Sequence, residues 1–315
     1  MRANIENFKI GDIILEKNET SIPGSASFML ASKVKDYFQL IKFTLSFMVV
    51  FSCVVCYLLA PNVEFDLLSV LLLFMAGMMV CGSANAINQA VEKDTDAMMK
   101  RTASRPVASG RMSEKEAWGF AIITGVIGIL VLWQWFNFLS ATIGLLSLFL
   151  YAFVYTPLKK VNSISVLVGA FPGALPCLIG WVAATNELST GGWVLFGIQF
   201  LWQFPHFWAI AWVAHQDYSK AGFKLLPSRS GPTKFTALQT IMYSALMIPV
   251  GLLPYFFKIS GVISLYVLLI CNIYMVYVSV QLYIKMSVPA ARRVMFSSYL
   301  YLAVVLISLL ADKAR

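Results

Sequence analysis

The chain has 315 residues, of which 59% are hydrophobic and only 12% charged, with 24 Lys or Arg against 15 Asp or Glu. Several stretches run for roughly 20 residues without a charge, long enough to cross a bilayer, which excludes an ordinary soluble domain. The basic excess is then a matter of membrane topology and is not a nucleic-acid footprint.

Residues 1–42 read as a polar N-terminal tail. No cleavable signal peptide is visible, and Glu6, Asp12, Glu16 and Glu19 argue against a mitochondrial transit segment, which is poor in acids. The end of the tail, 28–42, is expected to form an interfacial helix, with Tyr37, Phe38, Leu40 and Ile41 against lipid among Lys33, Lys35 and Lys42. Residues 43–315 then form an all-α polytopic membrane domain, with nine transmembrane helices around a central cavity. The spans are 43–60, 67–91, 118–135, 138–155, 164–184, 193–213, 235–256, 262–283 and 294–310. The third and fourth are separated by so little chain that they form a tight hairpin.

Of the five cysteines, Cys53 and Cys56 make a CxxC inside an apolar span. With no partner pair, they read as packing, and with Cys81, Cys177 and Cys271 they imply no disulfide framework. The basic residues alternate across the spans. The N-terminal tail and the segments 93–115, 159–160, 220–234 and 285–293 carry all of them except Lys258, Lys313 and Arg315. This places the N-terminus and the basic loops in the cytoplasm.

The second span carries the densest polar pattern. At about 100° per residue, Asn85, Asn88, Gln89, Glu92 and Asp96 fall within an arc of roughly 100°, while Lys93 and Asp94 point elsewhere. Oxygen donors on successive turns suit a hard divalent cation such as magnesium. Arg101 and Arg105, just beyond, can grip phosphate oxygens in bidentate fashion, so a metal-bridged diphosphate at the membrane surface is indicated. The blander readings are an amide bonding a neighbouring helix, and arginines (Arg111 among them) serving as topology anchors. Lys159 and Lys160 end the fourth span on the same face, where anchoring is again the alternative.

The sixth span repeats this layout. Gln199, Gln203, His206 and Asp217 lie near one stripe, subject to a kink at Pro205, and a basic loop with Lys220, Lys224 and Arg229 follows. Helices two and six run in the same direction, as in a parallel internal repeat with two half-sites facing one cavity. His206 could be a core histidine, and His215 falls on the opposite face.

The motif Asn88-Gln89-x-x-Glu92-x-x-x-Asp96 resembles the aspartate-rich first motif of the UbiA-type intramembrane prenyltransferases. Within them, the chain is similar to the heme-farnesylating branch. The carrying stretches are Asn85-x-x-Asn88-Gln89, Arg101-Thr-Ala-Ser-Arg105-Pro106, Tyr155-Thr-Pro-Leu-Lys-Lys160, 168–181, Trp202-Gln-Phe-Pro-His206 and Asp217-Tyr-Ser-x-x-Gly222. There are two departures. Lys42-Phe43-Thr44 stands where many bacterial members have Lys-Pro-Arg, which leaves contact between that turn and substrate unsupported. Ala221 stands where a second aspartate would complete the second motif, which thins any second metal site.

The resemblance implies transfer of farnesyl from farnesyl diphosphate to a vinyl group of heme B, with addition of water, giving heme O and diphosphate. It implies Mg2+ held by Glu92, Asp96 and Asp217, with Asn85 and Asn88 as neutral donors, and phosphates held by Arg101, Arg105, Lys159 and Lys160. His206 would ligate heme iron or handle a proton, and Lys220, Lys224 and Arg229 would meet the heme propionates. It further implies a bacterial inner-membrane enzyme, with heme A synthase or terminal-oxidase assembly factors as partners. The alternatives are a prenyltransferase acting on an aromatic or quinone precursor and, in another class, a secondary transporter with a midplane polar site.

Overall fold

The structure is a computed structural model that describes residues 26–228 and 231–314. Glu6, Asp12, Glu16, Glu19, Arg229 and Arg315, which entered the sequence reading, lie outside these residues. The described residues from Asp36 onward form one compact unit. The described residues are helical but for loops and one isolated bridge between Ser260 and Lys313.

The helices are α1 (Ala26–Leu40), α2 (Phe43–Leu59), α3 (Leu67–Val91), α4 (Lys93–Ala97), α5 (Glu114–Val131), α6 (Phe138–Phe149) and α7 (Thr156–Val161). They continue with α8 (Ser165–Thr185), α9 (Thr190–Val213), α10 (His215–Lys220), α11 (Lys234–Phe256), α12 (Val262–Lys285) and α13 (Val288–Ala311). Wider π-helical turns prolong α5 through Phe136 and join α6 to α7, so that 114–136 and 138–161 each run as one span. Eight described helices are long and apolar enough to cross a membrane, or nine if the pair broken before Phe43 counts as one span. The hairpin turns on a single residue. Asn137 leaves the helix, its Oδ1 accepts the Ser140 amide at 2.7 Å, and its Nδ2 donates to the Val182 carbonyl of α8 at 2.7 Å.

Two helices sit at the centre, with 67% of the span window buried in α8 and 72% in α9, against 22–39% in the other spans. One half packs α2, α3, α5 and α6 around α8, and the other packs α11, α12 and α13 around α9. Small residues permit the central approach. A Cβ on Gly180 would strike the Cys53 carbonyl of α2, and one on Gly173 would strike the Gln203 amide of α9. Cys53, Cys56 and Cys177 are buried, unbridged packing residues here.

Two expectations about local structure need correction. Leu40 does not face lipid; it is fully buried with Ala86, Ala90 and Met112, and only Phe38 of that group is strongly exposed. The sixth span ends at Val213 as expected, but the helical stripe does not carry on to Asp217. Here α9 continues through Pro205 to Val213, and the chain breaks at Ala214 before the short α10 that carries Asp217.

Candidate functional site

The polar end of α3 is built around a turn. At Ile41–Lys42 the chain leaves α1, and Lys42 takes a left-handed conformation with φ 49°. The last carbonyls of a helix have no intrahelical partner, and α3 supplies donors for them. Gln89 Nε2 donates to the carbonyls of Gln39 (2.9 Å) and Leu40 (2.8 Å). Asn85 Nδ2 donates to Ile41 O (3.2 Å) and to Ser46 Oγ (3.0 Å), while Ser46 Oγ donates to Ile41 O (2.6 Å). The Asn85 oxygen accepts from the Tyr151 hydroxyl at 3.3 Å. Asn85 is therefore a brace for the turn, with both ends of its amide engaged.

The brace aims Lys42 inward, where its Nζ donates to Asn88 Oδ1 at 2.8 Å. Asn88 Nδ2 donates to Glu92 Oε2 (2.8 Å) and Thr156 Oγ1 (3.2 Å). Glu92 Oε1 pairs with Lys159 Nζ at 2.7 Å, and that ammonium lies over the rings of Tyr155 and Phe223 at 5.0 and 5.3 Å. One turn on, Arg105 Nη1 reaches both Asp96 oxygens at 2.8 and 2.7 Å. Thr102 makes this possible, because its hydroxyl donates to Asp96 O at 2.8 Å and folds the loop back. Asn88, Glu92 and Asp96 are 1%, 4% and 1% exposed, so the layer is closed to lipid. Three basic side chains, Lys42, Lys159 and Arg105, surround two carboxylates, a setting that favours an anion.

The helix carrying this row is not continuous. It breaks at Glu92, with φ −98° and ψ 13°, and α4 restarts at Lys93. The Asp96 amide still bonds Glu92 O at 2.7 Å, which keeps the two carboxylates one turn apart on the inner side. Lys93 and Asp94 turn away, Lys93 to pair with Glu114 at 2.9 Å.

The other site residues are dispersed. Arg101 is exposed; it donates to the Tyr218 hydroxyl at 3.2 Å and lies 5.7 Å from that ring. It therefore faces α10, where Tyr218 packs on Phe223, the ring beneath Lys159. Asp217 is half-buried beside Tyr218. No group of three or more His, Cys, Asp or Glu close enough to hold a metal occurs among the described residues, so Asp217 does not complete a three-carboxylate site. Lys160, Lys220 and Lys224 are exposed, and Lys224 touches the site through its backbone, where its amide bonds Lys159 O at 2.8 Å. Arg111 ties the loop to α1 through Asp36 at 2.9 Å.

On α9 the amides are engaged with neighbouring helices. Gln199 Nε2 donates to Ser52 Oγ and Gly173 O, both at 3.1 Å, and Gln203 Nε2 donates to Ala170 O at 2.9 Å. His206 differs. Trp202 stacks on it at 4.7 Å between ring centroids, and its Nδ1 lies 2.8 Å from Ser298 Oγ of α13. Its ring also meets the edges of Phe207 and Tyr299, and Tyr299 lies within electrostatic reach of Arg101 and Tyr218. Met99, Ala221 and Phe223 pack together under this rim, bringing the loops after α3 and α9 into contact.

Sequence reasoning missed Lys42, whose turn lacks the usual Lys-Pro-Arg, and Ser298, a lone serine in an apolar span. A signal for Lys42 was present: two amides, Asn85 and Gln89, stand four residues apart on the face opposite a helix end that needs donors.

The UbiA prenyltransferase family model matches residues 49–303. The chain is 44% identical over 284 residues to the protoheme IX farnesyltransferase of Cytophaga hutchinsonii, covering 90% of this chain and 99% of that one. It is 43% identical over 285 residues to the protoheme IX farnesyltransferase of Flavobacterium johnsoniae, covering 88% and 94%. Its fold is similar to that of a digeranylgeranylglyceryl phosphate synthase, with TM-score 0.74, 23% identity, and 89% and 98% of the two chains covered. A UbiA homolog from Archaeoglobus fulgidus bound to GPP and Mg2+ aligns with TM-score 0.63, 16% identity, and 88% and 99% covered.

Proposed function

The chain belongs to the UbiA prenyltransferase family, and from that premise we propose that it farnesylates heme B at the cytoplasmic face of a bacterial inner membrane. It is a multi-span membrane prenyltransferase. In the proposed reaction the allylic C–O bond of farnesyl diphosphate breaks and a new C–C bond forms to a heme vinyl group. Water adds its hydroxyl to the adjoining carbon with loss of a proton, and diphosphate leaves, giving heme O. The observation that carries this reading is the buried row Asn88–Glu92–Asp96 with its cations Lys42, Lys159 and Arg105.

The donor set fits magnesium. It offers two carboxylates one turn apart plus an amide oxygen, and magnesium prefers one or two protein carboxylates with substrate phosphates and water completing its shell. Glu92, Asp96 and Asn88 Oδ1 would hold the ion. Once bound, it supplies Lewis-acid charge neutralisation at the diphosphate. Each of these oxygens now faces a cation. Substrate arrival would therefore exchange partners, with Lys42, Lys159 and Arg105 turning from the protein's oxygens to those of the diphosphate. Their preorganised charge would stabilise the leaving group as it departs.

The heme half is assigned to the α9–α13 side. His206 would present a ring nitrogen to iron or to a proton, and Arg101, on the rim beside Tyr218 and Tyr299, would meet the heme carboxylates in place of the phosphates. Purified protein given heme B, farnesyl diphosphate and Mg2+ should release diphosphate and yield a heme heavier by a farnesyl group and a hydroxyl group. If no such heme forms with any divalent metal, the reading fails. Prenylation of an aromatic acid under the same conditions would favour the quinone-precursor alternative.

A further inference from the structure

One buried contact on α13 has no part in the diphosphate chemistry. Ser298 Oγ lies 2.8 Å from His206 Nδ1, and the same oxygen donates to Met295 O at 2.6 Å. A serine hydroxyl has one proton. With that proton directed to Met295, Oγ accepts from the imidazole and Nδ1 carries the hydrogen. The opposite tautomer meets a penalty. It would turn the hydroxyl proton to Nδ1 and set the serine lone pairs against the Met295 carbonyl at 2.6 Å. Trp202 secures both partners: its ring stacks on the imidazole, and its Nε1–H donates to Ser298 O at 2.8 Å. Position and tautomer are thus fixed by one helix-to-helix contact.

We propose that Ser298 is a positioning residue that holds His206 as the Nδ1–H tautomer, so that a bare Nε2 lone pair, and no proton, meets the heme. This rests on the assignment of His206 to the heme half of the reaction. Ligation of iron and acceptance of a proton during water addition both require the same bare nitrogen.

The chain has only two histidines, so the tautomer can be read directly. Protein labelled with 15N-histidine, reconstituted in bilayers without heme and carrying His215→Gln, gives a solid-state NMR spectrum of His206 alone. The expected spectrum shows protonated Nδ1 and unprotonated Nε2. Ser298→Ala should turn a substantial share of the signal to Nε2–H, whereas Ser298→Thr, which keeps the hydroxyl, should hold the original form. Wild-type protein with its proton on Nε2 overturns the proposal, and so does Ser298→Ala with an unchanged tautomer. Hemin titration of the same preparations supplies the functional arm. Ser298→Ala should bind about 10- to 100-fold more weakly, the usual effect of losing the group that orients a ligating histidine, with Ser298→Thr near wild type. Hemin affinity that is indifferent to His206→Ala, in protein with the expected tautomer, instead overturns the heme role of His206. The two failures are therefore distinguishable.

Discussion

Helices α3 and α9 have the same layout in sequence: amides within the apolar run, an acid near the cytoplasmic end, then a basic loop. In the structure they part ways. On α3 the amides brace a turn that delivers a cation, and two carboxylates each meet a second cation. On α9 the amides bond a serine and backbone carbonyls of neighbouring helices, and the acid, on a short helix after a break as Asp96 is, has no cation paired with it among the described residues. An intramembrane amide therefore takes its meaning from its partner. The same Gln or Asn serves as glue where the neighbour is a regular helix, and as site architecture where the neighbour is a helix end with unmet carbonyls.

The sharpest way to break this contrast is at the carboxylates. Asp96→Asn keeps the shape of the side chain but removes the charge that pairs with Arg105. Diphosphate release should fall about 100- to 1,000-fold, the scale at which a preorganised electrostatic partner contributes, with the protein still inserted. Steady-state assay of the purified variant checks this, and wild-type turnover would remove Asp96 from the site. Next in size is Lys42→Met. A charge-assisted hydrogen bond is worth about 1.5–3 kcal/mol, so farnesyl diphosphate should be used about 10- to 100-fold less efficiently, read as kcat/KM.

Asn85→Ala attacks the brace and not the charge. It removes one of the two donors to the Ile41 carbonyl, leaving Ser46, and lets Lys42 drift, at a cost of about 1–3 kcal/mol in stability. Thermal unfolding in detergent should register that loss, together with a fall in kcat/KM smaller than that of Lys42→Met. The smallest effect belongs to α9. Gln199→Leu removes bonds to Ser52 and Gly173, for about 0.6 kcal/mol each in stability by the average for membrane hydrogen bonds, and should leave heme O formation within about twofold of wild type. A large loss of turnover there would mean that α9 carries a second working site after all.

Much of the fold was legible because hydrocarbon thickness and the distribution of Lys and Arg constrain a chain strongly. The second span was placed at its observed ends, Leu67–Val91, and a tight hairpin between the third and fourth spans, which the structure turns at Asn137, followed from the absence of spare chain. The row of Asn88, Glu92 and Asp96 was visible because helical spacing survives the break at Glu92. Partners were harder to read. Angular arithmetic says which side chains share a face, but not what stands opposite. Asn85 therefore read as a donor to metal without its bond to Ile41 being visible, and Arg101 was grouped with Arg105 although it turns to Tyr218. Asp217 was extrapolated along a helix that ends at Val213. Ser298 carried no signal at all, since one serine in an apolar span is ordinary.

The central claim is that the cation-paired carboxylates of α3 are where Mg2+ and diphosphate bind. Calorimetric titration with a non-hydrolysable thiolodiphosphate analogue of farnesyl diphosphate, with and without Mg2+, tests it most directly. Wild-type protein should bind the analogue tightly only when the metal is present, and Asp96→Asn should lose that metal dependence. Binding that ignores Mg2+, or that survives Asp96→Asn undiminished, would contradict the account.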